Sequence, residues 1–86
     1  MQVAEQMRVK LIEAFAPETL EIVDESEQHR GHSGWREGGQ THFRVRIVSA
    51  RFDGMNRVAR QRAVYDILRE ELAGPVHALA LTADAP

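Results

Sequence analysis

With 86 residues, 43% of them hydrophobic and 28% charged, the chain has room for one domain with one core and is apolar enough to fold, which excludes a multidomain or disordered reading. The formal net charge of −2 hides a division: residues 5–27 hold seven acids against Arg8 and Lys10, and residues 44–69 hold seven arginines against Asp53 and Asp66. Cysteine is absent, which excludes disulfides, thiolate nucleophiles and any cluster or zinc site built from the chain's own sulfur.

From Val3 to Phe15, apolar Val3, Met7, Leu11, Ala14 and Phe15 recur at steps of three and four, which predicts an amphipathic helix. Pro17 cannot continue it, so the helix should stop near Ala16. No run of about 18 apolar residues exists to span a bilayer. Glu5, Arg8, Lys10 and Glu13 occupy the place where a signal peptide needs an apolar stretch, and the acids argue against a transit peptide, so a cytoplasmic protein is expected.

Leu20 and Ile22 alternate with Glu18 and Glu21 and predict a short strand with one buried face. Residues 24–40 then carry one large apolar residue, Trp35, among four glycines and the histidines His29 and His32. They read as one loop, long enough to be a place to look for a site. Thr41 to Ser49 is the clearest strand: Phe43, Val45 and Ile47 on the core face, with His42, Arg44 and Arg46 on the other, where His42 is expected to make a structural hydrogen bond.

Asp53-Gly54 marks a turn, and Asn56 is a plausible N-cap for a helix over Asn56 to Ala73 that places Val58, Tyr65, Leu68 and Leu72 on one stripe, with a break expected near its start. Gly74-Pro75 should end it through a left-handed cap. A last strand is predicted from Val76 to Thr82, with His77, Leu79 and Leu81 on one face and Val76, Ala78 and Ala80 on the other. The expected domain therefore covers residues 1–82, and residues 83–86 form a short flexible tail.

The order of these residues resembles the BolA family. The fragments that carry the resemblance are Asp24-Glu25-Ser26 with His29, then His42-Phe43-Arg44-Val45, Val48-Ser49, Arg51-Phe52 and Gly54. They continue with Arg57, Arg60 and Arg62, Glu70-Glu71-Leu72, and Val76-His77-Ala78-Leu79-Ala80-Leu81. The resemblance covers roughly residues 5–82 and implies an α+β, αββααβ class II KH-like fold, a three-stranded mixed sheet with helices packed on one face. Gly31-His32-Ser33-Gly34 spells the G-x-x-G of a KH clamp but lies between the first two strands rather than between consecutive helices, and is read as coincidence.

The family implies a partner, a monothiol glutaredoxin, and a shared 2Fe-2S cluster to which His77 and the loop residue His29 contribute ligands. The partner's cysteine and its bound glutathione would supply the remaining sulfur, and the isolated chain is expected to be a monomer without cofactor. Imidazole is a sound iron ligand, and replacing thiolate with it raises the potential, as in Rieske centres. On the residues alone, His77 reads first as a strand histidine making a hydrogen bond within the fold, and only the family resemblance reverses that order; His29 reads as a solvated loop residue with His32 as its rival.

The second reading, which the resemblance also implies, is a nucleic-acid-binding transcriptional regulator using the basic region, with Arg57, Arg60 and Arg62 as the nucleic-acid-binding candidates. Gln61 departs from the family's usual histidine at that position. Helical spacing puts Arg57 and Arg60 about one turn apart and points Arg62 elsewhere. An enzyme is not expected, since no nucleophile motif or phosphate loop is present.

Overall fold

The computed structural model describes residues 2–26 and 39–86. Their elements follow the expected order: α1 (Val3–Phe15), β1 (Thr19–Asp24), β2 (His42–Val48), a 3₁₀ turn (Ala50–Phe52), α2 (Arg57–Ile67), α3 (Arg69–Ala73) and β3 (Ala78–Asp84). β2 is the central strand of three. It pairs antiparallel with β1, Ile22 facing Val45, and parallel with β3, Val45 facing Leu81. A parallel pair needs a crossover, and α2 with α3 supplies it.

Alternation decides which face of β2 is covered. Phe43, Val45 and Ile47 are buried against the helices, whereas Arg44 and Arg46 stand exposed on the bare face. Met7, Leu11 and Phe15 of α1, Val64 and Leu68, and Phe52 of the 3₁₀ turn complete one core. The rings of Phe15 and Phe52 lie 4.9 Å apart between centroids. α1 ends where Ala16 takes a left-handed φ of 44° and donates its N–H to the Ile12 carbonyl, before Pro17 turns the chain away. Ser49 seals the same corner, its hydroxyl donating to the Phe15 carbonyl at 2.6 Å and accepting from Arg51 N at 3.1 Å.

Four details of the sequence reading are corrected. The long helix is interrupted not near its start but at Leu68, whose φ of −98° and ψ of 15° separate α2 from α3. No glycine or proline announces this bend. Leu68 is fully buried, and Leu72 N still bonds to the Leu68 carbonyl across the break. The helix stripe is also rotated from the one read: Val58 and Tyr65 are 54% and 37% exposed, and Val64 takes the core position.

Gly74 does not adopt a left-handed cap, having φ −111° and ψ −110°. A Cβ there would meet the Glu70 carbonyl at 3.3 Å, so close approach is what the site asks of it. Finally, Ala83 and Asp84, expected in the tail, belong to β3 and pair with Ile47 and Val48. Ser49 N–H bonds to the Asp84 carbonyl at 3.0 Å.

Candidate functional site at the amino end of the central strand

The start of β2 brings together parts of the chain that are far apart in sequence. Ser26 and Thr41, at the two ends of the 24–40 segment, are buried and joined: Thr41 N–H donates to the Ser26 hydroxyl at 3.1 Å and His42 N–H to the same oxygen at 3.2 Å. Asp24 staples both ends. One of its carboxylate oxygens accepts from Ser26 N and Ser26 Oγ, and the other from Gln40 N and Gln40 Nε2, each at 3.0 Å. Burial alone would raise the Asp24 pKa, but the Ser26 and Gln40 donors, with the nearby His42, outweigh it and hold the carboxyl below its ordinary value.

Gly39, at a φ of +75°, lies so close to this carboxylate that an added Cβ would stand 2.7 Å from Asp24 Oδ2. The segment it closes contains His29, His32, Trp35 and the G-x-x-G sequence. All of these lie outside the described residues, as does any direct test of His29 as a ligand.

His77 arrives at the same place from the other end of the chain. Lys10 of α1 holds buried Glu71 of α3 at 2.8 Å, and this hydrogen bond outweighs desolvation to raise the lysine's pKa. The Glu71 carbonyl accepts from Gly74 N and Val76 N, turning the chain, and Val76 is buried in the core. The next two amides, His77 N–H and Ala78 N–H, both donate to the Thr41 carbonyl, at 2.7 and 3.2 Å.

Two successive donors on one acceptor break the strict alternation of the ladder. As a result Val76, predicted to face away from Leu79, is inside, and His77 is exposed just before β3 begins. Its backbone is thus fixed while its imidazole points outward, at the rim of a shallow apolar hollow of about 240 Å³ lined by Tyr65, Leu72, Ala78 and Leu79. Among the described residues neither ring nitrogen of His77 is hydrogen-bonded, which suits it to donate a lone pair to a soft or borderline metal.

His42 is the site residue whose importance the sequence understated. It makes the hydrogen bond expected of it, Nδ1 to Thr41 Oγ1 at 2.9 Å, but it is also 4% exposed despite lying on the side of β2 opposite the core. Its ring packs against that of His77, 5.2 Å between centroids and tilted by 52°. The assembly of Asp24, Ser26 and His42 is no catalytic triad: the serine is buried and its proton goes to the aspartate, not to the histidine.

The arginines of the alternative reading are elsewhere. Arg57 and Arg60 line a second hollow, of about 280 Å³, beside residues 81–84, and Arg62 does not. Arg60 is half-buried and engaged inside the fold, its Nε donating to the Met55 carbonyl at 2.8 Å and a terminal nitrogen to the Ala83 carbonyl at 3.4 Å. Arg57 and Arg62 are exposed.

Comparison with known proteins places this arrangement in a family. A family model described as BolA-like protein matches residues 11–86. An uncharacterised Sinorhizobium protein is 53% identical over 87 residues, covering 100% of this chain and 94% of its own. BolA-like protein 1 of Mus musculus is 50% identical over 80 residues, and the match covers 93% of this chain but only 56% of the mouse protein, so the chain spans little more than half of that relative.

The DNA-binding transcriptional regulator BolA of Escherichia coli is 44% identical over 81 residues, 94% of this chain and 73% of the regulator. Among solved structures, BolA1 from Arabidopsis thaliana superposes with a TM-score of 0.89 at 45% identity, covering 100% of this chain and 94% of that one. Sequence and fold agree over nearly the whole length, and the chain belongs to the BolA-like protein family.

Proposed function

We propose that the chain is an adaptor that docks on a monothiol glutaredoxin and co-ligates a shared 2Fe-2S cluster through His77 and His29, in cluster trafficking or iron and redox regulation. The observation that carries this reading is His77: an exposed imidazole on a fixed backbone, with ring nitrogens not hydrogen-bonded among the described residues. The stapled ends of the 24–40 segment support His29 as its companion. Ser26 is tied to Thr41, whose carbonyl holds His77, and three residues of chain from Ser26 span at most about 10 Å.

A 2Fe-2S cluster, when bound, supplies one-electron redox chemistry and a transferable iron-sulfur unit. The chain's own part is to present neutral imidazole, to fix its backbone through Thr41 and Val76, and to offer the apolar hollow beside it for contact with the partner. Cysteine is absent, so the sulfur ligands have to come from the glutaredoxin and its glutathione. Coexpression with the host's monothiol glutaredoxin tests the reading. It should give a coloured 1:1 complex whose visible spectrum differs from that of the glutaredoxin alone, and a mixture that yields only the glutaredoxin's own cluster-bridged dimer at every ratio would contradict it.

A DNA-binding role has one specific support, the E. coli relative that bears that name. In this chain the surface for it reduces to Arg57 and Arg62, with Arg60 engaged inside the fold. Such contacts give electrostatic, sequence-blind binding.

A further inference from the structure

We propose that His42 is a positioning residue for His77: its buried ring, held by Thr41, sets the orientation in which the exposed imidazole is presented to metal. The inference rests on the reading of His77 as a ligand and adds a residue to it. An exposed side chain on a strand end samples several rotamers, and a ligand that must be ordered on binding binds less well than one ordered beforehand. The backbone of His77 is fixed by the Thr41 carbonyl, but that bond leaves both side-chain torsions free.

What restrains the ring is the residue after Thr41, the first of β2. The His42 imidazole is 4% exposed, anchored at Nδ1 by Thr41 Oγ1 at 2.9 Å, and lies 5.2 Å from the His77 ring at 52°, within the range of a tilted aromatic contact. Thr41 is in turn hydrogen-bonded to Ser26, and Ser26 to Asp24. The stem that closes the 24–40 segment therefore also braces the ring beneath His77. One side of the ligand is packed on a rigid support and the other is left open to the partner, so the restraint on His77 is the ring contact itself rather than the hydrogen bond that commonly orients a metal-binding histidine.

The test compares His42→Ala and His42→Phe, with circular dichroism and a thermal melt as the check on folding. In the free chain, NMR scalar couplings report whether His77 χ1 is fixed or averaged. The expected result is a fixed χ1 in the wild type and in His42→Phe, which keeps a ring at that place, and an averaged one in His42→Ala. In the complex with glutaredoxin, cluster lifetime should fall about 10-fold in His42→Ala and be largely restored in His42→Phe.

A His77 χ1 that is the same in all three proteins would overturn the inference even if the cluster forms. So would loss of one imidazole nitrogen coupling from the reduced complex in His42→Phe with that of His77 intact, which would make His42 itself a ligand. Failure of the wild-type chain to form any mixed cluster would instead remove the ligand reading and leave the free-chain couplings to decide whether His42 orders His77.

Discussion

Ser26 has the structural consequences of a much larger residue, because one hydroxyl satisfies two buried backbone donors while giving its own proton to Asp24. Ser26→Ala removes the acceptor and leaves the Thr41 and His42 N–H groups without it in a buried place, at a cost of roughly 2–3 kcal/mol. Urea denaturation should show that loss without a change in slope. Asp24 adds a pH dependence. Its folded pKa is depressed, so the stability it contributes is complete above its unfolded value and is lost as pH falls through the folded one.

Asp24→Asn should therefore cost about 1 kcal/mol near neutrality, a modest figure because the side chain is largely exposed. The gap from wild type should close as pH drops below about 4, as thermal melts across pH would show. At this scale the sequence was half legible. Asp24, Ser26 and His42 were all noticed, but nothing in a linear pattern says that a strand residue on the side of a sheet away from the core will be buried and in ring contact with a second histidine 35 positions away.

Elements with strong periodicity were readable and those set by tertiary contacts were not. Met7, Leu11 and Phe15, and Phe43, Val45 and Ile47, fell where their spacing put them. The bend at Leu68 has no sequence signal, because a fully buried leucine and no helix breaker stands there. The alternation of β3 itself, with Leu79 and Leu81 inward and Ala78 and Ala80 outward, was read correctly. Val76 and His77 just before it were assigned to the wrong faces for a related reason: His77 and Ala78 share the Thr41 carbonyl, and alternation starts only after that irregular pair.

Two backbone positions test the turns directly. Gly39→Ala forces a Cβ into a left-handed residue pressed on Asp24 and should destabilise by about 2 kcal/mol or more. Ala16→Gly relieves a left-handed alanine and should be stabilising by about 0.5 kcal/mol, an opposite sign that differential scanning calorimetry can resolve.

For the molecule as a whole, charge and ligand chemistry make separate predictions. The uneven charge read along the sequence is partly offset by folding, and its arginines are partly spent: Arg44 pairs with Glu25, Arg46 with Glu21, and Arg60 donates to the Met55 carbonyl. Arg51 is engaged with the Ala14 carbonyl and Arg69 with Asp66, so with the two phosphate contacts of Arg57 and Arg62 left, DNA affinity should fall about 10-fold between roughly 50 and 200 mM salt. A filter-binding titration that showed salt-independent preference for one promoter would contradict this. Fold and family were legible because the ordered fragments span the chain, whereas what the proposed partner would contribute lies outside any sequence of this protein.

The central claim is that His77 donates to iron, and pulsed EPR of the reduced complex with glutaredoxin measures this by counting coordinated imidazole nitrogens. The wild type should show histidine nitrogen coupling that His77→Ala loses while keeping its fold, since the side chain is exposed and only its backbone is held. Unchanged nitrogen couplings in His77→Ala would contradict the account.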